Sequence, residues 1–285
     1  MTVTRPVNGK MIRFIRIQTM EYFLRKRWLL PILMALLIAS SETNRLLMQR
    51  TISGYAYNLW DTLFSVFSNA NYLLFIINNL FFFLVCDLTS ETRYGQGLLE
   101  KLGFRTKWWV SKVILLAILV LLFTLINLGI VIGIASFTFP WQSSWSPGAQ
   151  FSPVGSYLVT EILGTPPFIA FLKLLLLLIL GWFGLGLFVL TFSSLTHRSF
   201  AGFISGVILN FSGLVIYKGS FSPLVVNLSF HQHMLLNLQY PNTIISHLDP
   251  FGFSLIYWFC WIIFFFSVGL FLAKRKDFFG REDSR

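Results

Sequence analysis

Val113 to Phe137 runs for 25 positions without one charged side chain. As a helix that run rises about 37 Å, enough to cross the roughly 30 Å hydrocarbon core of a bilayer. A helix also satisfies every backbone donor and acceptor within itself, which lipid demands. Similar apolar runs recur along the chain, and only 12% of its residues are charged, against about 25% in soluble domains. The sequence therefore specifies an all-α integral membrane protein. Nothing outside the runs is long enough for a separate catalytic domain of about 100 residues.

Hydropathy places spans at about 23–42, 72–88, 113–137, 168–195, 200–217 and 252–272. The first is short, because its clean apolar run from Trp28 to Ala39 covers only about 18 Å. It either recruits Tyr22–Leu24 while Arg25–Arg27 snorkel, or continues past Glu42. Ahead of it, residues 11–27 put Ile12, Ile15, Thr19, Tyr22 and Phe23 near one helical face, with Arg13 and Arg16 elsewhere. That pattern predicts a basic amphipathic helix in the membrane interface. It has no continuous apolar core or small-residue cleavage site, so no signal peptide is expected. Residues 41–70 and 139–166 are polar and aromatic and are expected outside. Segment 218–251, broken by Pro223, Pro241 and Pro250, suits short re-entrant helices packed on protein.

Of the 22 Lys and Arg, 18 fall in the N-terminal arm, the second-to-third connection, the fourth-to-fifth turn and the C-terminal tail. Arg45, Arg50 and Lys218 fall on the other side. The positive-inside rule then predicts six spans with both termini cytoplasmic. The net charge of +11 thus reads as orientation and lipid-headgroup contact, not as nucleic-acid binding.

Polar groups inside the spans are few. Asn78, Asn79, Asn127 and Lys173 are candidates for a translocation route. Two alternatives stay open: the amides can serve as interhelical hydrogen bonds, and Lys173 can snorkel to the nearer interface. Gly129/Gly133 and Gly202/Gly206 are spaced for close helix approach. There is no Walker A loop, zincin helix or nucleophile elbow. The acidic residues fall at span edges and in loops. His231 and His233 lack the further ligands that zinc requires, His247 and Asp249 lack a nucleophile, and Cys86 and Cys260 stand apart. No catalytic residue and no metal site is expected.

The stretch from Asp87 to Lys112 breaks the pattern. Arg93, Lys101, Arg105, Lys107 and Lys112 stand there against Asp87, Glu91 and Glu100. Its middle, Gly97 to Gly103, reads as a glycine-bracketed helix too short to be stable alone. Such a helix needs a protein partner, so 89–107 is expected to be a cytoplasmic docking loop.

Four features together resemble the membrane subunit of a type-2 ATP-binding-cassette exporter. One is the interfacial helix before the first span. The next is Glu91, Gly95 and Gly97-Leu98-Leu99 followed by Arg105-x-x-Trp108 and Lys112. Then comes a glycine-rich fourth span turning tightly at His197-Arg198. The last is a semi-apolar connection before a sixth span that closes in basic residues and Asp277. The resemblance implies a coupling helix in which Glu91, Arg93, Gly95, Gly97, Leu98, Leu99, Glu100, Lys101 and Arg105 dock a cytoplasmic ATPase dimer. It also implies a second permease subunit, identical or not, and ATP with Mg bound by the ATPase rather than by this chain. The setting would be a bacterial cell membrane, and the exported cargo amphipathic: a peptide, a drug or a lipid-linked molecule. The short first span and the large 139–166 loop depart from the family's simplest form. Two rivals remain, a stand-alone peptide-immunity or sensor protein and an intramembrane enzyme acting on lipids.

Overall fold

The computed structural model describes residues 7–90, 105–151, 158–239 and 249–275, with side chains from residue 11. Helices α1 (Val7–Phe23), α2 (Leu29–Ser53), α3 (Leu59–Phe67) and α4 (Ala70–Val85) precede α5 (Arg105–Ser136). Then follow α6 (Pro167–Thr196), α7 (Ser199–Lys218) and α8 (Pro250–Arg275), with no strand among the described residues. Five units are long and apolar enough to cross a membrane: α2 with its leading turn from Lys26, α5, α6, α7 and α8. Helices α3 and α4 meet that test only as a pair, bent by 46°, which gives a sixth crossing if both belong to one span. The chain is a multi-pass helical membrane protein. Glu91, Arg93, Gly95, Gly97, Leu98, Leu99, Glu100 and Lys101 lie outside the described residues.

Three expectations need correction. The first span does not recruit Tyr22–Leu24, because α1 ends at Phe23 and a tight turn at Lys26–Trp28 separates it from α2. Instead α2 continues past Glu42 to Ser53 and stops where Gly54 adopts φ 74°. It can do so because Glu42, 2% exposed, is neutralised one turn on: Arg45 Nη2 donates to its Oε2 at 2.5 Å. The Tyr72 hydroxyl donates to its other oxygen at 2.7 Å. A buried carboxylate persists only with such partners.

Residues 41–70, expected outside, are partly this helix and partly α3, every residue of which is buried. Asn58 caps α3 by accepting from Trp60 N while Asp61 accepts from Asn58 N at 2.7 Å. Polar-looking sequence here is capping chemistry for an inserted turn. Glu42 and Asp61 are thus buried acids carried on helices rather than in loops.

The third correction concerns α1. Its inward face is Phe14, Gln18 and Tyr22, all buried, at the four-residue spacing of one helical stripe. Ile12, Met20 and Phe23 are exposed, and Arg13 and Arg16 share that outer side. The helix docks on α5 through that inward stripe.

Helix α6 is the hub, packed on α4, α5, α7 and α8. Its partner α7 comes so close that a Cβ at Gly202 would fall 1.8 Å from Ser193 Oγ and 2.8 Å from the Val189 carbonyl. Gly206 similarly admits Val189 and Phe82. Gly129 and Gly133 differ, since a Cβ at either would meet nothing within 4 Å. The turn between α6 and α7 forces exposed His197 to φ 55°, in the left-handed region. His197→Gly should therefore raise stability by about 0.5–1 kcal/mol. A thermal midpoint in detergent that fell instead would show that the imidazole holds the turn.

Candidate functional site

The two ends of the connection between α4 and α5 are held by a collar of side chains. Asp87, just past α4, accepts from Arg25 Nη1 at 2.6 Å and pairs with Arg27 Nη1 at 2.8 Å. The Tyr22 hydroxyl donates to the Asp87 carbonyl at 2.9 Å, and Trp28 Nε1 donates to the Tyr22 carbonyl at 3.0 Å. Asp87 thus ties the end of α4 to α1 through its backbone carbonyl and to the turn before α2 through its carboxylate. A charge-assisted bond from one guanidinium, with a second in ion-pair contact, holds orientation better than a single exposed pair does.

On the return side, Arg105 opens α5 rather than lying in a loop, and its Nη1 donates to the Lys274 carbonyl at 2.9 Å. Trp109 Nε1 donates to the Phe266 carbonyl at 3.1 Å, and its ring lies over Gly269. Lys112 is fully buried; its ammonium donates to Gln18 Oε1 at 3.1 Å and lies 5.7 Å from the centre of the Phe14 ring. The start of α5 is therefore fastened to α1 on one flank and to the last turns of α8 on the other. Of the docking residues read from the sequence, Arg105 is the one described, and it belongs to this collar.

A second polar centre lies within the bundle, built on a π-turn at Leu73–Ile77 in α4. A π-turn carries an extra residue and disturbs the regular carbonyl ladder, so a side chain can take over a freed carbonyl. Here Asn210 of α7 donates through Nδ2 to the Leu74 carbonyl. Its Oδ1 accepts from Asn78 Nδ2 at 3.0 Å. Trp182 Nε1 of α6 donates to Asn78 Oδ1 at 3.0 Å, and Asn79 Nδ2 donates to the Phe75 carbonyl at 2.9 Å. Three helices are joined through one turn, and the amides are used on one another.

The four candidate route residues separate accordingly. Asn78 and Asn79 come together. Asn127 bonds back to the Phe123 carbonyl of its own helix at 2.7 Å. Lys173 stands near the start of α6 with its ammonium 5.4 Å from the centre of the Phe251 ring. Asn210 and Trp182 were missed in the sequence, although a lone amide inside the fifth apolar run was the same signal that singled out Asn78.

At the opposite end from Asp87, the chain after α7 turns inward through short helices at Pro223–Leu228, Phe230–Met234 and Leu236–Gln239. Met234 seats on Gly181 at the middle of α6, and Phe230 on Gly213 of α7. His231 and His233 ride this segment and are both buried. Among the described residues no group of three or more His, Cys, Asp or Glu is placed to hold a metal ion. Compared with known proteins, the chain matches no family model and no curated protein.

Proposed function

We propose that this chain is the membrane-spanning permease subunit of an ATP-driven exporter. It docks a separate cytoplasmic ATPase through residues 91–105 and works beside a second permease subunit in a bacterial cell membrane. The observation that carries the reading is the collar. A docking loop transmits force only if its ends are fixed to the helices that must move, and both ends here are fixed. Asp87 is clamped to Tyr22 of α1 and to Arg25, while Arg105, Trp109 and Lys112 are fastened to α1 and α8. A push on 91–104 would therefore reach α4, α5 and α8 together instead of being absorbed by slack in the loop. Mg-ATP would be held by the partner, and no residue of this chain is assigned to it. The cargo is an amphipathic molecule such as a peptide, a drug or a lipid-linked compound.

Affinity purification in mild detergent with an ATP-hydrolysis assay tests the reading. A stoichiometric ATPase should co-purify and be lost when 95–105 is replaced. Arg105→Glu and Glu100→Arg should insert normally yet lower transport at least about tenfold, the effect of roughly 1.4 kcal/mol of lost docking. A single component without hydrolysis, or wild-type transport by either variant at normal ATPase abundance, would overturn the assignment.

A further inference from the structure

The inward-turning segment between α7 and α8 is held by contacts that join neutral groups. Met234 reaches Gly181, the fifteenth residue of α6, which is about 21 Å along that helix. The Trp258 indole donates to the His233 carbonyl at 2.9 Å and the Tyr257 hydroxyl to the Leu228 carbonyl at 3.1 Å. His233 lies between Ser254 Oγ at 2.9 Å and the Asn227 carbonyl at 2.6 Å, with its ring stacked on Tyr257 at 4.0 Å. His231 Nδ1 pairs with Ser229 Oγ at 2.6 Å, and its ring meets Tyr217 edge-on at 5.9 Å.

The titratable groups facing these rings are each other, Tyr217 from α7 and Tyr257 from α8. The charged residue of α6 on this side, Lys173, sits over Phe251, and Lys218 of α7 sits over Phe75. No carboxylate pairs with either imidazole among the described residues. A buried imidazolium here would have no counter-charge among the described residues. We propose that Pro223–Gln239 is a proton-released latch, which His231 and His233 keep packed while neutral and drive toward water when either is protonated.

The direction of the pH effect follows from burial. Lying outside the spanning helices, His231 is pushed down to about 4 by burial and then by His233. His233 is also pushed down to about 4 by burial, against the opposing pull of the Asn227 carbonyl. Once wetted, each returns to the ordinary value near 6.5. The released state then binds more protons than the packed one, so packing weakens as pH falls from about 6.5 toward 4. The latch belongs to the bundle itself, whatever protein drives it, so its test needs no ATPase.

Leu235 is fully buried on the segment and serves as a reporter when changed to cysteine. The background carries Cys260→Ser, and the parent with only buried Cys86 is the control. Labelling of the full chain in membranes by dithiodipyridine, which reacts in acid and at neutral pH, is divided by the rate for the unfolded chain at each pH. L235C should label at least about tenfold faster at about pH 5 than at about pH 7.5. With H231Q/H233Q added, the rates should agree within about twofold. A flat response in L235C, or an equal rise in the histidine variant, would overturn the latch. If the double variant labels fast at both pH values, H231Q and H233Q singly decide: a smaller rise than L235C supports the latch, an equal one overturns it.

Discussion

Asn210→Leu should destabilise the bundle by about 1–3 kcal/mol, because it leaves one buried donor without its partner and removes two bonds between helices. Asn78 Nδ2 loses the Oδ1 to which it donates, while the Leu74 carbonyl at the π-turn loses its donor from α7 and keeps the 3.2 Å bond from Asn79 Nδ2. In a protein of this size that corresponds to a fall of roughly 2–10 °C in the thermal midpoint. Asn79→Ala should cost less, since Asn79 Nδ2 bonds only to carbonyls of its own helix. Its one outward bond is the 3.3 Å acceptance from Asn210. Detergent unfolding of both variants decides the matter. Equal midpoints for N210L and the parent would mean that the amides contribute nothing to holding the helices together.

Gly269→Leu is the other large expected effect. A Cβ at Gly269 would lie 1.9 Å from the Trp109 ring, and that ring cannot swing aside. It is fully buried and its Nε1 is bonded to the Phe266 carbonyl. Overpacking of this kind costs about 1–3 kcal/mol, and the upper end is expected with a rigid indole as the obstacle. The last turns of α8 should part from α5, taking the Arg105 bond to the Lys274 carbonyl with them. Cysteines placed at 105 and 274 should then be joined in the parent by a bis-maleimide that spans the length of an arginine side chain, and not in the variant. Gly129→Leu is the control, since nothing lies within 4 Å of a Cβ there; its effect should stay within about 0.5 kcal/mol. If both glycine variants behave alike, the Trp109 contact does not fasten the collar.

The helices were legible in the sequence because lipid imposes a simple rule, and an uncharged run of sufficient length announces itself. What escaped reading depends on partners distant in the chain. The first span looked too short because Glu42 ended its apolar run, and the sequence does not reveal that Tyr72, thirty residues on, supplies a hydroxyl to it. Residues 59–67 looked external because their capping residues are polar, yet those residues satisfy backbone groups of a buried turn. For α1 the apolar stripe through Ile12 and Phe23 suggested a lipid-facing side. The helix instead turns Phe14, Gln18 and Tyr22 inward, because Lys112 and Asp87 offer polar partners on that flank. Asn78 was visible as an oddity, but its use required Asn210 and Trp182 from two other helices.

The π-turn at Leu73–Ile77 sets a constraint on length rather than on composition. Its surplus residue advances everything downstream by about 100° around the helix axis. Excising one residue would restore an ordinary ladder locally, and in isolation would make a better helix. The same excision would turn Asn78 away from Trp182 and carry Asp87 round the axis, out of reach of Arg25 and Arg27. The turn therefore works as a phase-setter, with no chemistry of its own and with consequences one to three turns away. Chains descended from this one are free to change which apolar residues fill those five places, but not how many there are.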